Sequence, residues 1–459
     1  MHFRDSADRL TSALSRLRSR LFAPVDAASL VYFRVVFGAI MLVTAWRYIN
    51  SDKIYRYFLE PDYLFTYLGF DWVRPWPGEG LYIHFYLLAL LSIFVMIGFM
   101  YRASATLLFL AFTYIFLLEQ ARYLNHYYLI CLVSLLMIFL PAHRDLSVDA
   151  RMRPSIRGDL APAWCLWLLR IQIGLVYFYG GVAKINWDWL NGWPLRIWLA
   201  SRTDRALIGP LLDEVWVALL FSYSGLLIDL LAFPLLLWKR TRVPIFLVLT
   251  LFHLTNSHLF DIGVFPWFSL ASTLLFFPPD WPRRIFNWPL PATPVQPSVP
   301  PGRGGNLTLA ILGLYLAIQI LVPLRHLAYP GNVSWTEEGH RFSWHMKLRD
   351  KEADSTFRLR DLDTGETWEV DPEEELTRRQ YSKMSSRPYM TLAYAHYLAD
   401  RERREGRRVE IKADVWASLN GRESERLIDP DTNLATQPRT LFAATPWILP
   451  LGVSESERD

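Results

Sequence analysis

The sequence predicts a mainly α, polytopic membrane helical bundle of about nine spans, followed by a C-terminal β-rich soluble domain. Three observations carry this reading. Residues 27–278 hold several apolar runs of roughly 17–25 residues, the length that crosses a bilayer core. The chain is 52% hydrophobic and 15% aromatic with mean hydropathy +0.15, yet residues 330–459 are strongly polar, so the apolar excess belongs to one part of the chain. The basic residues between the apolar runs fall on alternate connections, as the positive-inside rule requires.

Taken in order, the predicted spans are 29–49, 80–100, 103–121, 125–142, 163–183, 214–238, 243–259, 262–278 and 307–326. Before the first, residues 8–22 place Leu10, Leu14, Leu17 and Leu21 on one helical face and arginines on the other, the pattern of a helix lying at a membrane surface. No apolar core with a cleavage site follows those charges, so the segment does not read as a signal peptide. With the N-terminus cytoplasmic, Arg102, the cluster Arg144, Arg151, Arg153 and Arg157, the cluster Lys239, Arg240 and Arg242, and the pair Arg283 and Arg284 all lie inside. Nine spans then leave the C-terminal domain extracytoplasmic. Asn256 and Asp261 interrupt the long apolar run at 243–278.

The organisation expected is an amphipathic segment at 1–26, a helical membrane domain at 27–288, a linker at 289–305, a last span at 306–328 and the exported domain at 329–459. The linker, "PLPATPVQPSVPPGRGG", is rich in proline and glycine and reads as extended or flexible chain. Beyond the last span the period changes from helical to alternating. "RFSWHMKL", "TFRLRDL", "TWEV" and "VEIKADVWASL" read as strands, with a turn at "DTGE" and a hairpin at Asn420-Gly421. Residues 388–403 read as a helix. The only cysteines, Cys131 and Cys165, lie within predicted spans, so no disulfide staples the exported domain. Neither a metal site nor a glycine-rich phosphate loop is indicated. The run "RERREGRR" at 401–408 reads as a solvated helix end rather than as a site for an acidic partner, and no nucleic-acid partner is expected.

Polar side chains within spans are costly, and their positions are informative. On this topology Asn125 and His126 begin the fourth span on the outer side, and Lys184 ends the fifth there. His253 and Asn256 occupy the outer half of the seventh, and His326 ends the ninth. Four segments distant in sequence thus reach one membrane level. Each has a simpler reading: a terminal lysine snorkels to headgroups and a lone histidine packs in a core. Asp229 and Arg170 read as structural interior groups. His253 and His258, five residues apart, do not share a helix face, which disfavours a two-histidine metal site. An amine acts as a base only when neutral, and an apolar surrounding favours that form. Gly180 and Gly181 would admit a flat ligand or a second helix, and Tyr177, Tyr179, Trp187, Trp189 and Trp193 offer aromatic walls. The residues by themselves indicate a lipid-accessible site with a candidate general base, suited to a membrane-soluble aromatic molecule such as a quinol.

"FRVVFGAIM", "NHYYL", "LSVDA", "LRIQIGLVYFYGGVAKINWDWL", "LLIDLLAF", "FHLTNSHLFDIGVFPW", "PPDWPRR", "VPLRHLAYPGNVSWTEEGHRFSW", "DVWASLNGR" and "RLIDP" occur in this order. From about residue 28 to the C-terminus the chain resembles the vitamin K-dependent γ-glutamyl carboxylase family, including its bacterial HTTM-domain members. The resemblance implies a multi-pass protein, of the bacterial inner membrane here, in the carbon–carbon lyase class. It implies oxygenation of reduced vitamin K to the epoxide, coupled to carboxylation of peptide glutamate to γ-carboxyglutamate. Reduced vitamin K is the implied cofactor, dioxygen and carbon dioxide are co-substrates, and a glutamate-containing peptide and the bilayer are partners. It makes Lys184 the base that deprotonates the quinol and places His126, His253 and His326 in the active centre. Asn125 accompanies the first of these, Trp335 and His340 fall in the region linked to glutamate recognition, and Asn256, from the span reading, is a further candidate substrate contact. Tyr177, Gly180 and Gly181 are the candidate quinol contacts. Animal members often carry a second lysine where this chain has Ala183, and their cysteine pair is absent. Two other readings stay open: a quinol-epoxidising enzyme with another substrate, and a non-enzymatic quinone- or lipid-binding protein or transporter. A transporter would show repeated halves, and no repeat is present.

Overall fold

Every predicted span is helical. In the computed structural model, which describes residue 12 and residues 15–204, 209–260, 262–288, 303–440 and 442–452, nine helices fall on the nine predicted segments. They are α1 (Ala28–Ile49), α2 (Gly80–Ile97), α3 (Tyr101–Leu118), α4 (Asn125–Phe139), α5 (Ala163–Val182), α6 (Val215–Leu237), α7 (Arg242–Leu259), α8 (Phe265–Thr273) and α9 (Arg303–Leu324). Six of them, α1, α2, α3, α5, α6 and α9, are long and apolar enough to cross a membrane. Only these six of the nine expected spans meet that measure of length and composition among the described residues. α4 has 15 residues and α8 only 9, and α7 ends in the polar run His253, Asn256, Ser257 and His258. Of the amphipathic segment, residues 15–22 are helical. Asp261 and most of the proline-rich linker lie outside the described residues.

The helices bury one another where their side chains are small or aromatic, and they leave long apolar side chains outward. Leu307, Ile311, Leu314 and Leu321 of α9 are all exposed, as a lipid-facing surface requires. α9 is held to α5 by Tyr179 Oη donating to the Ile320 carbonyl at 2.7 Å and Tyr315 Oη donating to Gln172 Oε1 at 2.6 Å. Buried charge near the N-terminal end of α1 is held by hydrogen bonds and ion pairs. Arg34 donates to the carbonyls of Ala142, Asp145 and Leu146, and Arg283 pairs with Asp26 and Asp145. Arg170 donates to the carbonyls of Leu275 and Phe277, the structural role expected of it. A short antiparallel pair, β1 (Pro24–Asp26) with β2 (Leu160–Pro162), lies beside this region. Cys131 and Cys165 are free and buried.

The C-terminal domain is a four-stranded antiparallel sheet in the order β4-β3-β5-β6, with β3 (Lys351–Asp361), β4 (Thr367–Val370), β5 (Val409–Leu419) and β6 (Glu425–Arg426). Alternation sets its buried face: Val409, Ile411, Ala413, Val415, Ala417 and Leu419 of β5 all point into the core. Helices α10 (Arg378–Ser385) and α11 (Pro388–Arg404) cover that face. α10 begins in a capping box formed by Thr377 and Gln380. The hairpin at Asn420-Gly421 is present, with positive φ at both residues, +53° and +80°. "RFSWHMKL" is not a strand. Phe342, Trp344 and Lys347 adopt positive φ of +65°, +60° and +54°, so the segment is a series of turns. Its alternation arises because Phe342 and Trp344 insert between helices, where both pack on Tyr128.

Candidate active site

α5 ends at Gly180-Gly181-Val182 because α6 crosses it closely there. A Cβ on Gly181 would lie 2.8 Å from the backbone nitrogen of Leu230, and one on Gly180 would lie 3.2 Å from Asp229 Oδ2. These glycines therefore permit a helix crossing, and neither is among the residues that line the chamber described next. Just beyond the crossing, the chain turns so that Lys184 Nζ donates to the Gly180 carbonyl at 3.0 Å and to Asp229 Oδ2 at 2.7 Å. Both side chains are more than nine-tenths buried. The Trp189 ring stands 5.2 Å from the amine. Asn186 caps the following turn by accepting from the Trp189 amide, and Trp189 Nε1 donates to the Ser222 carbonyl at 2.9 Å. The lysine expected alone in an apolar pocket is instead ion-paired with Asp229, whose place in the sequence alone reads as structural.

Lys184 opens onto a chamber of about 740 Å³. Asn125, His126, Tyr177, His253, Asn256 and His340 line it with Lys184 and Asp229. The sequence-predicted convergence is thus largely real in space. His253 is 1% exposed and hydrogen-bonded through Nε2 to Tyr177 Oη at 2.8 Å, while its Nδ1 has no partner among the described residues. The Phe265 ring lies 5.7 Å from the His126 ring and 5.8 Å from His253, so both imidazoles border one aromatic ring. His258, one of the alternatives, is exposed on the other side of α7.

Three predicted residues stand elsewhere or act differently. His326 does not line the chamber; its ring meets His345 edge-on at 4.7 Å and bonds through Nδ1 to the Pro323 carbonyl. Trp335 is fully buried in the C-terminal core, with Nε1 donating to the Leu449 carbonyl at 2.8 Å. Asn125 spends both ends of its amide: Oδ1 accepts from Tyr123 Oη, and Nδ2 donates to the His345 carbonyl at 3.0 Å. It thereby ties the His345 backbone to the start of α4, and it also borders the chamber. His345 was missed. It is buried, lines the chamber, and neither ring nitrogen has a partner among the described residues. Burial and the nearby His326 push its pKa down to about 3, so it is a neutral imidazole. The available signal was a histidine set between Trp344 and Met346, hidden by reading the stretch as a strand.

The chamber has two kinds of wall. Phe252, Phe260, Phe265 and Phe268 line it with Trp189 and Trp198, whereas the part made by the C-terminal domain is cationic. Ten basic side chains line the whole, against the two carboxylates Asp229 and Asp350, among the described residues. Arg349 pairs with Glu337 at 2.5 Å and also donates to His340 Nε2. Burial, reinforced by Arg349, holds His340 well below the usual histidine range. Burial first, and the guanidinium groups of Arg349 and Arg387 second, push Lys351 down to about 7. Burial and then Arg387, Arg379 and Arg349 do the same to Lys383, also to about 7. Arg387 Nη1 has no partner among the described residues. Excess positive charge in a partly enclosed space attracts anions.

An HTTM domain model matches residues 22–281, and the model of the vitamin K-dependent gamma-carboxylase lumenal domain matches residues 305–454. The chain belongs to the gamma-carboxylase family. No solved structure matches it. The first match covers His126, Lys184, Asp229 and His253, and the second covers His326, His340, His345 and the cations that the C-terminal domain contributes. The chamber of this family member therefore lies where the two matched regions meet.

Proposed function

We propose that the chain is a multi-pass membrane carboxylase that couples oxygenation of reduced vitamin K to carboxylation of peptide glutamate. The observation that carries this reading is the single chamber holding a buried amine, an aromatic wall and a cationic wall. The residues present fit a quinol. The aromatic side chains suit a flat ring, and the unpartnered nitrogens of His253 and His345 suit hydroxyl groups. Reduced vitamin K, when bound, supplies through its reaction with dioxygen a base stronger than any side chain. Lys184 accepts a proton from a hydroxyl placed beside it, and Tyr177 holds His253 in orientation. The aromatic wall excludes water, which would quench a strong base. The cationic wall receives the carboxylate of a peptide glutamate arriving from the C-terminal domain, and carbon dioxide adds at the γ-carbon. His126, His253 and His345 are the imidazoles nearest this chemistry, and His340 and Asn256 border the peptide path. The N-terminus is read as cytoplasmic and the C-terminal domain as outside, in a bacterial inner membrane; this rests on the distribution of basic residues between spans and on nine crossings, α4, α7 and α8 included.

The test uses the purified full chain in lipid with reduced vitamin K, dioxygen, labelled bicarbonate and a glutamate peptide. Epoxide and fixed label are both expected, and both fall by roughly 100-fold or more in Lys184→Ala. Epoxide without label assigns the oxygenation to another substrate. Neither product, with quinone still bound, leaves a binding protein and ends the enzymatic reading.

A further inference from the structure

The amine of Lys184 meets the carboxylate of Asp229 at 2.7 Å, with both groups nearly withdrawn from water. An ammonium in such a pair has no lone pair to offer a proton donor. The reading of Lys184 as a base, on which this inference rests, therefore needs a place for the proton that the amine already carries. Asp229 Oδ2 is the carboxylate oxygen in contact with it. Other groups around the pair are poor recipients. Tyr177 Oη is engaged with His253, and the Gly180 carbonyl accepts a hydrogen bond but no proton. His345 is a buried neutral ring whose charging the Lys184 ammonium opposes. Asp229 also lines the chamber, on the α6 side of Lys184. Gly180 is needed for this arrangement, since a side chain there would press on Oδ2.

We propose that Asp229 is the proton-accepting partner that lets Lys184 act as a base. Lys184 cedes one N–H proton to Asp229 Oδ2 and becomes a neutral amine beside a neutral carboxyl. The freed lone pair takes the proton of an acidic hydroxyl in the chamber, whose oxygen keeps the electron pair of the broken O–H bond. The pair has then gained one proton and is an ammonium beside a carboxylic acid; nothing has been oxidised or reduced. Two protons held over two adjacent groups replace the solvent as the proton store. The transfer from Lys184 to Asp229 runs along the 2.7 Å hydrogen bond already formed between them.

The test supplies menadiol without oxygen to the full-length protein in lipid and records infrared difference spectra. A carboxylic-acid carbonyl band that shifts in heavy water is expected in the wild type and is absent in Asp229→Asn. Quenching of tryptophan fluorescence by menadiol, which reports binding beside Trp189, should stay within about threefold in that variant, because the amide keeps the shape of the site. With oxygen, epoxide formation should fall roughly 100-fold, and Asp229→Glu should restore part of both band and turnover. Unchanged or faster turnover in Asp229→Asn overturns the proposal, making Asp229 a restraint on the lysine. If Asp229→Asn does not fold, the wild type decides: bound menadiol with no carbonyl band also overturns it. A wild type that gives the band but neither epoxide nor fixed label refutes the proposed function and leaves the proton pair standing.

Discussion

Lys184 and Asp229 lie 45 positions apart and meet only because α5 and α6 cross at Gly181. At the residue scale the sequence marked the lysine, the three histidines and Asn256 through one argument: polar groups in spans need a reason. The same argument applied to Asp229, the single charged residue of its apolar run, but a carboxylate's partner cannot be read from one helix. The cationic wall was equally hidden, since Lys351, Lys383 and Arg387 sit in ordinary polar sequence and gather only when the C-terminal domain folds over the chamber. That wall carries a pH prediction. Lys351 and Lys383 have folded pKa values lowered to about 7, so below that pH both are charged and draw in an acidic peptide. As pH rises through about 7 they lose charge and the attraction weakens. KM for a glutamate peptide should therefore rise between roughly pH 6 and 8, while KM for the quinol stays level. A peptide KM that is flat over this range removes these two amines from recognition.

At the scale of elements, the α5–α6 crossing sets the position of the ion pair. Gly181 has no room for a side chain, whereas Gly313 in α9 has open space around it. Gly181→Val should overpack the crossing and cost about 1–3 kcal/mol, seen as a lower unfolding temperature in detergent. Gly313→Ala should leave that temperature level or slightly raised, since alanine favours a helix. Equal effects of the two changes would mean that the crossing is not tight. The turns at 341–350 are the element that pattern reading got wrong. Alternating apolar residues there follow insertion between helices, and the positive φ values at Phe342, Trp344 and Lys347 preclude a strand. Sheet strands β3, β4 and β5 and helix α11 were legible, because each buries one face against a single core and shows its proper period.

On the scale of the whole molecule, the membrane and C-terminal parts are fastened together around the chamber. Asp188, four residues beyond Lys184, accepts from Asn420 Nδ2 at 2.7 Å and pairs with Arg422 at 2.6 Å. Gln380 of α10 donates to the buried Glu119 Oε2 at 2.8 Å, and Phe65 and Ala121 from the membrane part join the core of the sheet domain. Asp188→Ala takes the carboxylate from a largely buried guanidinium and should cost about 3–5 kcal/mol. It should also lower turnover, because the same hairpin rests on the segment that follows the lysine: a Cβ on Gly421 would lie 3.4 Å from Trp193. The check is a melting curve and limited proteolysis beside the coupled assay. An Asp188→Ala protein with wild-type stability and rate would show that this clamp contributes nothing.

The sequence by itself determined the helical membrane bundle, the polar domain after it and most of the residues that face the chamber. Hydropathy, period and the cost of burying polar groups are local properties that a single segment displays. Tertiary structure alone decided that Lys184 is paired with Asp229, that His345 faces the chamber, that Asn125 serves as a strut, and that cations from the second domain close the site. Each of these depends on which segments meet in space, and contacts between distant segments leave no periodic trace in any one of them.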